Sequence, residues 1–185
     1  MRTQSALFGL CLSLAASGAM AADSWKTMPV SDAGYKPDFT LSVLGGYMHP
    51  RNAKGSGVFG AELDFNCLLL QPPSGIIRSQ LSIHQFDHGG LTLTTYELSP
   101  RWTTEIDKNL TLGIGPGIGY VDAELAGQTK GMWAGQLGGD LNYRMGNMTL
   151  GLTGRWQLTT NTQVAAGYKK NEDNVLLEAK VGYNF

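Results

Sequence analysis

The amino-acid sequence predicts an all-β protein, and three observations support this prediction. Eight segments of the 185-residue chain alternate apolar and polar side chains with a period of two, which is the pattern of strands that bury one face. One of them, LGIGPGIGY at residues 112–120, has a glycine at every second position. Beyond residue 21 no segment has the roughly 20 consecutive apolar residues of a transmembrane helix, which excludes a helical membrane protein.

The first 21 residues have the organisation of a secretory signal peptide. Arg2 precedes an apolar run at residues 7–16, and the small residues Ala19 and Ala21 mark a cleavage site before Ala22. We therefore expect a signal peptide at 1–21, a periplasmic N-terminal tail at 22–38 and a β domain at 39–185. Loss of Arg2 takes the 14 basic residues to 13 against 15 acidic ones, a balance that argues against nucleic acid as a partner.

The predicted strands follow one another through the β domain. They lie at residues 39–47, 59–65, 77–84, 96–102, 110–120, 133–144, 148–157 and 175–185. In each, apolar residues on one face alternate with polar residues or glycine on the other, as Leu63 and Phe65 alternate with Glu62 and Asp64 in the second. Eight strands are enough to close a small antiparallel up-and-down barrel.

Residues 112–120 allow a second interpretation, because glycine-rich segments also cradle phosphates. A phosphate loop needs backbone N–H groups that converge at a helix N-terminus, usually with a lysine close by. The segment has neither. On a strand its glycines lie on the polar face, where we expect them to leave space for arginines from the facing wall. Pro116 lacks the N–H that a strand ladder uses, so we predict a local bulge there.

The positions of the aromatic residues distinguish a membrane barrel from a soluble one. If the mature N-terminus lies in the periplasm, the odd strands run outward and two aromatic girdles form. The predicted outer girdle contains Tyr47, Phe59, Tyr120, Trp133 and Trp156, and the inner girdle contains Phe65, Trp102, Tyr143, Tyr183 and Phe185. Rings at two headgroup levels are typical of transmembrane β-barrels, and the apolar stripe then faces lipid.

The polar face carries equal numbers of acids and bases. The acids are Glu62, Asp64, Glu97, Asp140 and Glu178, and the bases are Arg78, Arg101, Arg144, Arg155 and Lys180. Inside a narrow eight-stranded barrel an unpaired charge would cost several kcal/mol. We therefore predict a charge-paired network that fills the lumen, whereas on a soluble barrel the same residues would form an ordinary solvated face.

The chain resembles the small outer-membrane β-barrels typified by OmpX, Ail and the OmpA transmembrane domain. The resemblance rests on Leu-Gly-Gly-Tyr at 44–47, Leu-Ser-Pro-Arg-Trp at 98–102, the glycine-alternating residues 110–120 and Val-Gly-Tyr-Asn-Phe at 181–185. It implies an eight-stranded transmembrane barrel in the outer membrane of a Gram-negative cell. Tyr183 and Phe185 resemble the signal that the barrel-assembly machinery recognises. The chain departs from this family in its predicted outer connections, 49–57, 87–90, 122–131 and 159–173, because the second is nearly a minimal turn.

One group of residues suggests chemistry. Ser82 and His84 share a strand face, and Glu97 is a nearby carboxylate, so the three could form a serine hydrolase arrangement like that of the lipid A deacylase PagL. The His-x-Ser-Asn motif of that enzyme is absent, and the residues face the lumen. A hydrogen-bonding role for them is therefore the alternative.

The remaining candidates concern ligands of the outer connections. His49, His84 and His88 have no spacing that unites them with carboxylates, so we expect neither a metal site nor a cofactor. Five basic residues of the outer connections could contact lipopolysaccharide phosphates or could serve solubility: Arg51, Lys54, Lys130, Lys169 and Lys170.

Three functions follow from these observations. The first is an integral outer-membrane protein, expected to be a monomer in contact with outer-membrane lipids and lipopolysaccharide, with a structural or surface-interaction role. The second is a lipid A-modifying enzyme, and the third is a narrow channel.

Overall fold

The computed structural model describes residues 25–51, 53–125, 127–160, 162–165, 168–170 and 173–185, without the side chains of 162–165 and 168–170. The predicted signal peptide lies outside the described residues. The strands are β1 (Lys26–Thr27), β2 (Thr40–Pro50), β3 (Ser56–Asn66), β4 (Leu70–Gln71), β5 (Ile76–His88), β6 (Leu91–Asp107), β7 (Leu110–Leu125), β8 (Gln128–Met145), β9 (Met148–Thr159), β10 (Thr162–Ala165), β11 (Tyr168–Lys170) and β12 (Asn174–Asn184). A short 3-10 helix spans Pro29–Ser31. No helix among the described residues is long and apolar enough to cross a membrane.

Eight of these strands form a closed barrel in the order β12-β2-β3-β5-β6-β7-β8-β9. Each strand pairs antiparallel with its neighbour, and β12 closes the barrel against β2 through pairs such as Tyr183 with Leu41. The predicted fold class, an eight-stranded antiparallel up-and-down barrel, is therefore confirmed. We call the end that holds Thr40 and Asn184 the lower end and the opposite end the upper end.

The three strands β6, β7 and β8 are much longer than predicted. They contain 17, 16 and 18 residues, against 11 each in β2, β3 and β12. The expected outer connection at 122–131 is wrong, because β7 and β8 pair as far as Leu125 with Gln128. The alternation continues through that segment, but the apolar residues there face inward instead of outward. Because of their length, the three strands project beyond their neighbours at the upper end.

The N-terminal tail, expected to be extended, folds against the lower end of the barrel over its described part. Its strand β1 pairs with β4 in the loop between β3 and β5, and the Tyr35 hydroxyl donates to the backbone carbonyl of Asn66. Asp38, at the end of the tail, has a φ of 48°. Aspartate tolerates this left-handed conformation better than most residues, so it can turn the chain into β2.

The bulge predicted at Pro116 is wrong. The β6–β7 ladder pairs Leu98 with Ile118 and resumes at Trp102 with Ile114 in the same register, which places Pro116 opposite Pro100. Because neither proline has an N–H, the ladder is interrupted without an inserted residue. The register of this strand pair shifts elsewhere, between Glu105 and Asp107.

The barrel lumen and the projecting upper sheet as candidate functional sites

The outer surface of the barrel is apolar and its interior is polar. Large side chains such as Val43, Phe59, Trp133 and Leu177 are exposed on the outside. Acids, bases and amides are buried in the lumen, where they alternate along the strands with those exposed residues. This is the inside-out distribution of a barrel that faces lipid.

Nine of the ten predicted network residues lie in the lumen, and its five acids each have a partner. Lys180 Nζ lies 2.7 Å from Glu62 Oε1, and Arg78 Nε lies 2.6 Å from Asp64 Oδ1. Arg101 Nε lies 3.6 Å from Asp140 Oδ2, and Arg155 pairs with Glu97. The fifth acid, Glu178, accepts its contact from His84, whose Nδ1 is 3.1 Å from Glu178 Oε1.

Arg144, the tenth predicted network residue, lies outside this network. Its side chain is 47% exposed at the lower mouth, where Nη2 is 2.9 Å from Asp38 Oδ1. Asp38 also accepts from Arg78 Nη1 at 2.9 Å, so the end of the tail joins two strands across the mouth. These guanidinium groups hold the pKa of Asp38 below its usual value, although partial burial acts to raise it. The sequence offered no signal for Asp38, since a tail residue has no strand periodicity.

Amide side chains extend the network in the middle of the lumen. Gln136 Nε2 donates to Glu97 Oε2 at 2.9 Å and to Ser99 Oγ at 2.6 Å. Gln157 Nε2 donates to Gln136 Oε1 at 3.1 Å. The sequence placed these glutamines on the polar face, but periodicity alone did not indicate which charged residues they would contact.

The three residues of the hydrolase hypothesis, Ser82, His84 and Glu97, lie together, but the carboxylate that could orient His84 is Glu178 and not Glu97. His84 Nε2 is 3.0 Å from Ser82 Oγ, which is suitable for a hydrogen bond. The carboxylate nearest to the other ring nitrogen is Glu178, whereas Glu97 Oε2 is 3.6 Å from His84 Nε2. The free space beside these groups is about 10 Å³, which is the room needed by one water molecule. The distances resemble those of a hydrolase, but the volume does not admit an acyl chain.

A larger cavity of about 570 Å³ lies at the lower end of the barrel. Its lining includes Asp38, Arg78 and Arg144 together with the turn residues Lys108 and Asn109. The cavity is therefore a polar space at the lower mouth, below the packed middle of the lumen.

The upper end of the lumen is apolar, although the alternation of the predicted strands indicated a polar interior. A cluster of buried side chains fills it: Met48, Val58, Phe86, Leu91, Leu93, Val121, Ala123, Met132, Ala134 and Leu176. Phe86, Val121 and Ala123 are completely buried. The interior thus changes along the barrel axis from a polar cavity, through a charge network, to an apolar core.

The same reversal occurs on the outside of the upper strands. Tyr96, Tyr120 and Trp133 lie side by side on the surface of β6, β7 and β8, and the rings of Tyr120 and Trp133 are 5.3 Å apart. In the next outward row Thr94, Asp122 and Gly131 replace them. We call the part of β5–β8 above the Tyr96 row the upper sheet. It is polar outside and apolar inside, like a sheet in water.

The predicted girdle residues are mostly exposed on the outer surface. Nine of the ten are exposed, and the tenth, Phe65, is half-buried because its ring packs 5.7 Å from that of Phe39. Phe39 in turn stacks on Phe185 at 6.0 Å. Tyr96 belongs to the same row as Tyr120 and was missed, although its pairing with Tyr120 is a signal that strand register could have revealed.

The alternating glycines of β7 face the lumen, and their missing side chains give room mainly to neighbouring strands. A Cβ at Gly113 would lie 2.9 Å from the Asp140 carboxylate, and one at Gly119 would lie 3.4 Å from Gln157 Nε2. The expected arginine contact is local: Arg101, on the adjacent strand, donates to the Gly115 carbonyl. The space is used by polar side chains, but arginines from the facing wall do not fill it at these positions.

The remaining predicted ligand residues lie at or near the upper end. His49 and His88 are on β2 and β5, and the described residues contain no group of three His, Cys, Asp or Glu side chains that could hold a metal ion. Arg51, Lys54 and Lys130 are exposed, and Arg51 is 3.3 Å from Asp173. The side chains of Lys169 and Lys170 lie outside the described residues.

The geometry defines the class of protein: an eight-stranded transmembrane β-barrel of the small outer-membrane type. Solved structures that share the fold include the following three. Ail, the attachment invasion locus protein of Yersinia pestis, has a TM-score of 0.52 at 12% identity, over 82% of this chain and 100% of Ail. Neisserial surface protein A (NspA) has a TM-score of 0.54 at 13% identity, over 80% and 97%. The N-terminal barrel domain of Pseudomonas aeruginosa OprF has a TM-score of 0.50 at 12% identity, over 81% and 100%.

These similarities concern the fold. No family model matches the sequence, and no curated protein matches it. The fold and its structural neighbours support an outer-membrane location.

Proposed function

We propose that this protein is a non-catalytic outer-membrane barrel with a structural or surface-interaction role. The observation that carries the proposal is the packing of the interior. Between the lower cavity and the upper end lie the paired charges and then the apolar cluster around Phe86 and Met132. A barrel filled in this way supports a sheet outside the membrane, and the upper sheet would supply the contacts with partners.

The proposed partners follow from the surface of the barrel. Lipid chains would cover the apolar belt, and lipopolysaccharide phosphates would contact the exposed Arg51, Lys54 and Lys130 near the upper end. The barrel-assembly machinery would recognise the C-terminal strand through Tyr183 and Phe185, which are both exposed. The closed hydrogen-bond ladder leaves no barrel edge for another chain, which favours a monomer.

Planar-bilayer recording tests the filled interior directly. The folded mature protein is expected to give no steady conductance, because ions would have to cross both the charge network and the apolar cluster. A Phe86→Gly, Met132→Gly variant removes two fully buried side chains from that cluster only; because the charge network stays intact, it should also give no steady current. A steady current through the unaltered protein would contradict the proposal and favour a channel.

Lipid A analysis tests the non-catalytic role separately. Ser82, His84 and Glu178 have hydrolase-like distances but almost no free volume beside them. Mass spectrometry of lipid A should therefore give the same spectrum from cells with the wild-type protein, with the Ser82→Ala variant and without the gene. A deacylated species that requires Ser82 would overturn the proposal.

A further inference from the structure

Two hydrogen-bonded segments at the lower end carry exposed apolar side chains side by side. The tail donates from Met28 N to Leu69 O at 2.8 Å and from Val30 N to Leu68 O at 3.4 Å. The exposed residues are Met28, Val30, Leu68, Leu69 and Leu70, and we call them the apolar patch. Met28 is 52% exposed and Leu69 is 64% exposed. A contiguous apolar patch on the surface marks a site of contact with a partner or a membrane.

The loop that holds three of the five patch residues differs from the other turns of the lower end. It joins β3 to β5, and residues 67–77 contain no Asp, Glu, Lys or Arg. The other two lower connections are polar two-residue turns, Lys108–Asn109 and Gly146–Asn147. A loop of this length that faced only water would ordinarily carry polar and charged side chains.

Contacts with Trp102, a residue of the predicted inner girdle, show that the end of the loop lies on the outer, lipid-facing surface of the barrel. Trp102 is exposed on the lipid-facing side of β6, and its indole N–H donates to the Ser74 carbonyl at 3.0 Å. Gly75, with a φ of 73°, packs on the same ring: a Cβ there would lie 2.8 Å from Trp102 Nε1. The next residue, Ile76, is exposed. The loop therefore leans on the lipid-facing surface, and its apolar residues continue the belt of the barrel downward.

We propose that the apolar patch inserts into the interface of the periplasmic leaflet and anchors the N-terminal tail on the lipid surface. The loop that carries three of the patch residues contacts the girdle residue Trp102 through Ser74 and Gly75, and girdle tryptophans lie at the depth of interfacial segments. Lys36, exposed on the tail, provides positive charge for lipid phosphates, and Lys26 adds to it although it lies 3.9 Å from Asp32. Lipid contact there holds the tail in the arrangement that brings Asp38 to the lower mouth.

Spin-label accessibility in vesicles tests the anchor. The mature chain, with Cys67→Ser and Leu69→Cys, is labelled and folded into vesicles of phosphatidylethanolamine and phosphatidylglycerol. Relaxation of the label by oxygen, which concentrates in lipid, is compared with relaxation by a water-soluble nickel chelate. We expect an oxygen-to-nickel ratio several-fold higher at position 69 than in the matched control Lys108→Cys, which lies in a polar lower turn. Met28→Cys provides the same measurement from the other segment of the patch.

The outcomes are distinct. A ratio at positions 28 and 69 equal to that at 108 places the patch in water and overturns the proposal. Low access of both reagents indicates a protein contact, such as a second copy, and also overturns it. Each labelled variant is first checked for the different migration of boiled and unboiled samples in electrophoresis, so that a failure of the barrel to fold is not mistaken for a failure of the anchor.

Discussion

Lys180 Nζ donates to Glu62 Oε1 at 2.7 Å in the lumen, and both side chains are almost completely buried. The two residues come from strands that are not neighbours, since β2 lies between β12 and β3. Inside the barrel, their side chains therefore meet in front of β2, the strand that separates β12 from β3. A buried pair of this kind contributes little net stability relative to apolar residues of the same size, but removing one partner leaves a charge without compensation.

This relationship predicts unequal effects of single and double substitutions. Glu62→Leu alone is expected to destabilise the barrel by about 3–5 kcal/mol, because Lys180 then remains buried and charged. The double variant Glu62→Leu, Lys180→Met should recover most of that loss. Urea unfolding in lipid vesicles, followed by tryptophan fluorescence, gives the free energies of unfolding.

The exposed pair Lys26–Asp32, separated by 3.9 Å, provides the control. Lys26→Met should change the free energy of unfolding by less than about 0.5 kcal/mol. If Glu62→Leu and the double variant are equally unstable, the charge balance of the lumen does not explain the effect.

Two glycines on β8 give a matched comparison of the two barrel faces. Gly138 faces the lumen, and a Cβ there would lie 2.5 Å from Arg101 Nη2 and 2.9 Å from the Gly154 carbonyl. Gly138→Ala should therefore destabilise the barrel by about 1–3 kcal/mol. Gly135 faces outward with no atom within 4 Å of an added Cβ. Gly135→Ala should be neutral or slightly stabilising in the same urea titration, and equal losses at both positions would show that packing in the lumen is not responsible.

The membrane-spanning part of the fold was predictable from the sequence, because lipid imposes a strict alternation on each strand. Leu112, Ile114 and Ile118 must face hydrocarbon, so their glycine neighbours must face the lumen. Eight such strands leave few alternatives to a closed barrel. The outward exposure of rings such as Trp102 and Trp133 follows from the same alternation, and we predict that these rings mark the levels at which the apolar belt ends.

The parts that the sequence did not predict are governed by different physics. On β7 the outward apolar residues Ile118 and Tyr120 give way to the inward apolar residues Val121 and Ala123, as expected if water replaces lipid above the Tyr120 row. We expected a loop where the apolar face reversed, although the reversal is compatible with a continuous strand. Pairing across the lumen, such as His84 with Glu178, depends on strand stagger, which periodicity does not determine.

The ion pairs of Asp38 predict how stability depends on pH. The pKa of Asp38 is lower in the folded protein than in a free chain, chiefly because Arg144 and Arg78 donate hydrogen bonds that outweigh the effect of burial. A lowered pKa contributes stability that is complete above the unfolded value, roughly 3.9, and is lost as the pH falls through the folded value.

The measurement is the free energy of unfolding of the wild type and of Asp38→Asn across the acidic range. Asparagine also tolerates the left-handed φ of this position, so the variant removes charge without adding backbone strain. The wild type should be more stable at neutral pH, and the difference should shrink as the pH falls below about 4. A constant difference between wild type and Asp38→Asn would show that ionisation of Asp38 is not the cause.

The reversal of the apolar phase at Tyr120 predicts where the membrane ends on β7. Ile118 and Glu124 lie on the same outward face of one strand, six residues or roughly 20 Å apart. In a Cys67→Ser background, Glu124→Cys should react with a membrane-impermeant maleimide in intact cells, whereas Ile118→Cys should react only after denaturation. Labelling of Ile118→Cys in intact cells would contradict the boundary. Labelling of Glu124→Cys only after the outer membrane is permeabilised would instead show that the upper sheet faces the periplasm, because the strand would then cross the membrane in the opposite direction.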